Sequence, residues 1–286
     1  MRIKRWIKRS FILGLIVAAL VTAIVFIYRP APMERTEIFK GVYLTVESVS
    51  GTLMGNGRAM IVEVHWKTPG VVVEHRQFDY EFSPDNPRTP HFNLSLLDYA
   101  LFKEDASILV NTTRYRPHAV TESYPGNPVR SQETIIADGK LSHVHQHSYL
   151  LYWDGEMKVH METTKPPSET GLKTAVLGIG LQGLQIRGGN ANMNAIASPE
   201  REYDRTFIGV DPMRQVLYLM VFEKTSAYYL IQRALEAGVV FGGIVDSGGG
   251  SHLIIGDQAA AGIRAHTGIR NWRPLAGYLT IHADPL

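Results

Sequence analysis

The chain has 286 residues, 29 Lys and Arg against 27 Asp and Glu, and close to half hydrophobic side chains. That length allows one large domain or two small ones, and the even charge argues against a nucleic-acid binder, which carries a strongly basic face. Cysteine is absent, which excludes disulfides, thiolate metal sites and a cysteine nucleophile, and fits a domain large enough to do without covalent staples.

The first ten residues hold much of the positive excess, in Arg2, Lys4, Arg5, Lys8 and Arg9. An uncharged run follows from Phe11 to Tyr28. As a helix it would extend about 27 Å, just enough for a hydrocarbon core. Basic residues before it and a Pro-rich exit after it predict an N-terminus inside and the bulk of the chain outside. The rival is a cleavable signal peptide ending near Val21-Thr22-Ala23, but the apolar run continues through Ile24 to Ile27, which a cleavage region does not do. The expected organisation is a basic cytoplasmic flank (1–10), a transmembrane signal anchor (11–28), a short stiff linker (29–37) and one extracytoplasmic domain (38–286).

The domain opens with strand patterns. Met60, Val62, Val64 and Trp66 alternate against Ile61, Glu63 and His65, the period of a half-buried strand. Leu94 to Glu104 predicts a helix with Leu97, Ala100 and Leu101 inward, and Ser107–Asn111 a strand that ends on Asn111. A strand-end Asn is commonly a turn former; its other use is to hold a sugar hydroxyl or orient an acid. His143, His145 and His147 alternate, so on a strand all three project from one face. Three imidazoles so placed suit zinc; the plainer alternative is the wet face of a sheet, and no carboxylate nearby stands out as a further ligand. No cofactor is required by the sequence, and a divalent metal on these three histidines is the alternative.

Gly178-x-Gly180-x-x-Gly183 has the letters of a dinucleotide fingerprint, but no helix pattern follows and no βαβ unit surrounds it. Arg205 to Glu223 reads as two strands about an Asp-Pro turn. Thr225-Ser226 then precedes a helix whose Ala227, Leu230, Ile231, Ala234 and Leu235 recur at helical spacing, with Gly238 as its C-terminal cap. The run VVFGGIVDSGGGSHLII, Val239 to Ile255, places Asp246 at the mouth of an apolar strand, followed by three glycines and Ser251. A carboxylate there is costly to desolvate unless something binds it, and glycines leave no Cβ between a ligand and the loop amides. The alternative is a plain Asp-Ser-Gly turn joining two strands.

Arg205-Thr206-Phe207-Ile208-Gly209, the strand and helix after it, and Ile244-Val245-Asp246-Ser247-Gly248-Gly249-Gly250-Ser251 resemble the C-terminal half of the phosphodiester glycosidase (uncovering-enzyme-like) family. Leu109 to Tyr115 and Asp138-Gly139-Lys140 are similar to earlier signatures of that family. The resemblance spans Gly41 to about Ile255. It departs at Ser247, where a glycine is usual, and at Thr112-Thr113-Arg114, where a smaller Gly-containing run is usual. It implies a glycosyl hydrolase whose substrate is a glycan or glycosyl phosphate, and a region around Gly178 that borders the site.

In a sugar 1-phosphodiester the leaving group is already a stable anion, so the site needs a cation and amides for the phosphate and a carboxylate across the sugar. The residues assigned are Asp246 as base or nucleophile, with Arg205, Thr206, Asn111, Gly248, Gly249, Gly250 and Ser251 binding substrate or phosphate. A second carboxylate is sought among Glu122, Asp204, Asp211 and Glu223. The expected fold is α+β, one domain of mixed or mainly antiparallel sheets with a few helices. The second function class is a non-catalytic glycan-binding or assembly subunit that uses the same cleft, and the Ser247 and Thr112-Thr113 departures favour it.

Overall fold

The structure, a computed structural model, describes residues 34–52, 55–77, 80–83, 86–93, 103–116, 125–137, 139–196, 198–256 and 276–286. The anchor expected at 11–28, most of the helix expected at 94–104, and Glu122 lie outside them. No described helix is long and apolar enough to cross a membrane.

In chain order the strands begin with β1 (Thr36–Phe39), β2 (Val42–Thr52), β3 (Gly55–His65), β4 (Val72–Gln77), β5 (Tyr80–Ser83) and β6 (Asn86–Asn93). Then come β7 (Ile108–Asn111), β8 (Tyr115–Arg116), β9 (Pro128–Ser131), β10 (Ile135–Ala137), β11 (Lys140–His143), β12 (Tyr149–Asp154) and β13 (Val159–Met161). A short helix α1 (Glu169–Thr174) leads into β14 (Ala175–Leu181), β15 (Ile186–Arg187) and β16 (Asn190–Ala191). The chain continues with β17 (Tyr203–Asp211), β18 (Val216–Thr225), helix α2 (Ala227–Ala237), β19 (Phe241–Ser247), β20 (Leu253–Ile255) and β21 (Gly277–His282).

Among the described residues these strands form an eight-stranded sheet, β1-β2-β3-β18-β17-β19-β15-β16, a five-stranded sheet, β11-β10-β14-β12-β13, and two of four, β20-β7-β21-β4 and β5-β6-β9-β8. The described pairings are antiparallel. The architecture is thus mostly antiparallel sheet with few helices. The fingerprint-like glycines Gly178 and Gly180 sit within strand β14 of such a sheet, not at the mouth of a βαβ unit.

The large sheet buries both faces. One side carries Val62, Ile208, Leu219 and Val245 against Val110, Leu151, Ile179, Leu253 and Leu279 of the smaller sheets. The other carries Ile61, Phe207, Met220 and Phe222 against Leu230, Ile231 and Ala234 of α2. Strand β3 is therefore buried on both sides rather than half-buried: Ile61 joins the second core, and Glu63 is covered while paired to Arg35 Nε at 2.9 Å. Each such large apolar side chain contributes about 1.5–3 kcal/mol through burial. Thr36 and Glu37, read as linker, already pair with Leu44 and Tyr43 in the sheet.

Helix α2 shows how local sequence fixes an element. Ser226 Oγ accepts the amide of Tyr229, and Gly238 closes the helix at φ 101°, a conformation that favours glycine. Ser226→Ala is expected to lower unfolding free energy by about 1 kcal/mol, read from urea denaturation. Because α2 covers Phe207 and Phe222, its ends also set where β19 begins.

Candidate functional site

Strand β19 delivers Asp246 to the edge between two sheets. It pairs with β17 so that Thr206 faces Asp246 and Arg205 faces Ser247. The register slips between Thr206 and Phe207, a bulge that puts both Val245 and Asp246 on the side of the smaller sheets. After Ser247 the chain leaves the eight-stranded sheet through the glycine loop and enters the four-stranded one as β20.

The loop is built around the carboxylate. Gly248 takes φ 92°, and Ser251 N donates to Gly248 O at 3.0 Å, closing a turn. A Cβ on Gly250 would stand 2.2 Å from Asp246 Oδ2, so only glycine fits. The Gly248 amide goes to Asp204 O at 2.7 Å, leaving those of Gly249 and Gly250 as the loop's remaining donors.

Asn111 closes the arrangement from the facing sheet. It ends β7, its backbone amide donates to His252 O at 3.1 Å, and it lies opposite Tyr278 of β21. Its Nδ2 donates to Asp246 Oδ2 at 2.6 Å and to Gly250 O at 2.5 Å, while its Oδ1 accepts the Thr113 amide at 3.0 Å. Both amide protons are committed to the protein. Asn111 thus orients the acid rather than offering a donor to a sugar hydroxyl. The other oxygen of the acid, Oδ1, accepts the Ser247 amide at 2.7 Å, and donors on both oxygens suit the ionised form. Behind Asn111, buried His75 contacts Gly178 O through Nδ1 at 2.9 Å and Thr112 Oγ1 through Nε2 at 2.8 Å. Because a carbonyl only accepts, Nδ1 carries a proton and donates it to Gly178 O.

Thr206 and Ser251 are fully buried, and among the described residues their hydroxyl oxygens have no hydrogen-bond partner. Arg205 is placed differently from Asp246, on the other face of β17. Its guanidinium donates to Arg201 O at 2.8 Å, Thr225 O at 3.4 Å and Ser247 Oγ at 3.4 Å, and stacks near the Tyr203 ring. It braces the loop from behind.

The charges that gather on the Asp246 side are not among the residues expected from the sequence. Glu133, just before β10, is fully buried, and among the described residues neither oxygen has a well-formed hydrogen bond. Arg114 Nε lies 3.4 Å from its Oε1. Burial pushes the Glu133 carboxyl well above the usual range, Arg114 and Lys165 oppose that, and the charge of Asp246 adds to it. Lys165 donates to Gln182 O and lies 4.2 Å above the Tyr149 ring; burial lowers its ammonium pKa, with Glu133 opposing. One signal was available: Glu133 precedes Ile135-Ile136 as an acid at the mouth of an apolar strand, the pattern that drew attention to Asp246. Of the carboxylates considered instead, Asp204 accepts the Lys224 amide, Asp211 caps the turn at Met213 and Arg214, and Glu223 pairs with Arg58.

The histidine tract leaves the strand after His143. His145 N donates to Thr134 Oγ1 at 3.0 Å and His145 O accepts the Ser148 amide at 3.2 Å, which turns the chain. His145 and His147 therefore do not share a strand face with His143. The rings lie 6.3 Å and 5.8 Å apart in succession, and no group of three His, Cys, Asp or Glu among the described residues is placed to hold a metal ion. His143 is pushed down to about 4 by burial first and His145 second. His145 is lowered by burial, then by the charges of His147, Arg114 and Lys165, which places it at the rim of the same cluster.

No family model and no curated protein matches the chain. Solved structures do. A zebrafish N-acetylglucosamine-1-phosphodiester alpha-N-acetylglucosaminidase catalytic domain, auto-inhibited by its pro-peptide, superposes with a TM-score of 0.59 at 15% identity over 88% of each chain. A hypothetical protein from Synechocystis gives 0.55 at 11% identity, covering 88% of this chain and 64% of that one. A putative exported protein from Burkholderia pseudomallei gives 0.51 at 9% identity, covering 79% and 74%. At these identities the likeness is one of fold: the chain shares its architecture with a phosphodiester glycosidase domain, as a distant structural relative.

Proposed function

We propose that the chain is a glycosidase that hydrolyses a sugar 1-phosphodiester, or a related envelope glycan, at the anomeric carbon. The observation that carries this reading is Asp246, a buried carboxylate held by Asn111 on one oxygen and the Ser247 amide on the other, in a fold shared with a phosphodiester glycosidase. In this reading Asp246 takes the proton of the attacking water at the anomeric carbon. Arg114 and Lys165, with the amides of Gly249 and Gly250, receive the phosphate. Thr206 and Ser251 offer their hydroxyls to the bound sugar. Arg205 supports the loop without touching substrate. The reading includes an anchor at 11–28 that holds the domain outside the membrane, and it requires no metal.

A second reading is a glycan-binding or assembly subunit using the same cleft. It is favoured by how fully the protein itself occupies Asn111 and the Gly248 amide. Sugar release from a panel of sugar 1-phosphodiesters separates the two. The expected result is turnover of at least one member of the panel. Saturable glycan binding with no release from any member would instead establish the binding subunit.

A further inference from the structure

We propose that Glu133 is a second catalytic carboxyl group, the proton donor to the leaving oxygen, and that the substrate range therefore includes glycosides with alcohol leaving groups. This rests on the hydrolytic reading above and deepens it. A phosphate leaves as a stable anion and needs little protonation, whereas an alkoxide does not leave without a proton.

The geometry that supports it is unusual for a structural acid. A buried carboxylate kept for stability is normally met by a full set of hydrogen bonds, because an unpaired buried charge is costly. Glu133 is fully buried, and among the described residues neither oxygen has a well-formed hydrogen bond; Arg114 Nε stands 3.4 Å from Oε1 as a loose ion pair. No charge reaches it from β14, where the residue beside it is Gly180; a Cβ there would meet the Glu133 Cβ at 3.1 Å. Among the described residues, the charges that reach it are Arg114, after β7, Lys165, before α1, and Asp246, on β19, with His145 next to the two cations. Burial and Asp246 favour its neutral, proton-bearing form. Arg114 is placed to receive the carboxylate once the proton has gone.

The step balances as a hydrolysis. Water forms a bond to the anomeric carbon and gives its proton to Asp246. The bond from that carbon to the leaving oxygen breaks, its electron pair stays on that oxygen, and the Glu133 proton joins it to give the free alcohol. Exchange with solvent then returns the proton from Asp246 and reprotonates Glu133.

The test compares alkyl glycosides with sugar 1-phosphodiesters of the same sugars, using the full chain and Glu133→Gln, with thermal melts to confirm folding. The variant is expected to lose about 10²- to 10⁴-fold on the alkyl glycosides and roughly ten-fold or less on the phosphodiesters. Turnover of phosphodiesters alone by the unaltered chain, or equal losses on both classes, overturns the role of Glu133 and leaves the hydrolytic reading standing. No turnover of either class defeats both. The pH profile of the unaltered chain supplies a readout that needs no variant. Alkyl glycoside turnover is expected to fall as pH rises through the raised Glu133 value, while phosphodiester turnover lacks that limb; matching alkaline limbs overturn the proposal.

Discussion

Asp246→Asn is expected to reduce sugar release by about 10³-fold or more while leaving the chain folded. Asparagine has the shape of the acid but neither its charge nor its symmetry. Asp246 accepts a hydrogen bond on each oxygen, from Asn111 Nδ2 at 2.6 Å and from the Ser247 amide at 2.7 Å. An amide in its place presents one oxygen and one NH₂. Whichever way it turns, one donor meets another donor, a cost of about 1–3 kcal/mol. That is a minority of the roughly 5–15 kcal/mol that holds a domain together, so the variant should melt earlier but cooperatively. Kinetics at substrate saturation, with a melting curve beside them, separate lost chemistry from lost folding. Undiminished turnover in the variant would place the acting carboxylate elsewhere.

Much of this site was legible because it is local. The Ser226 and Gly238 caps, the strands on either side of Asp211-Pro212, and Asp246 followed by glycines all announce themselves within a dozen residues, and the fold places the caps, the two strands and Asp246 at its strand end where the sequence puts them. Asn111 at the end of β7 was legible too, though not that both its amide protons would be committed to the loop. What the sequence hid depends on register and on contacts between distant segments. Arg205 and Thr206 are neighbours, and a single bulge decides which of them shares a face with Asp246. The histidines have strand parity, yet the hydroxyls of Thr134 and Ser148 offer the backbone another partner and end the strand at His143. Glu133, Arg114 and Lys165 come from three separate connections, and no spacing along the chain signals that they meet.

The last strand was the least legible and carries the second large expectation. Residues beyond Ile255 showed no resemblance in the sequence, but β21 lies inside its sheet, between β7 and β4. It pairs with both neighbours along most of its length, and Tyr278, Leu279 and Ile281 are buried. A chain ending at residue 276 is expected to show no cooperative unfolding transition. Truncating one buried Leu or Ile to Ala costs about 2–5 kcal/mol, and β21 supplies several such side chains together with the ladders on both sides. The sum exceeds the roughly 5–15 kcal/mol available. Leu279→Ala is the graded control, expected to lower stability by about 2–5 kcal/mol and remain folded. The strand also reaches the site. Thr113 Oγ1 donates to Gly277 O at 3.3 Å, and Tyr278 is the register partner of Asn111. If the shortened chain melted cooperatively and kept its sugar release, β21 would be an ornament to the sheet rather than the support on which Asn111 holds Asp246.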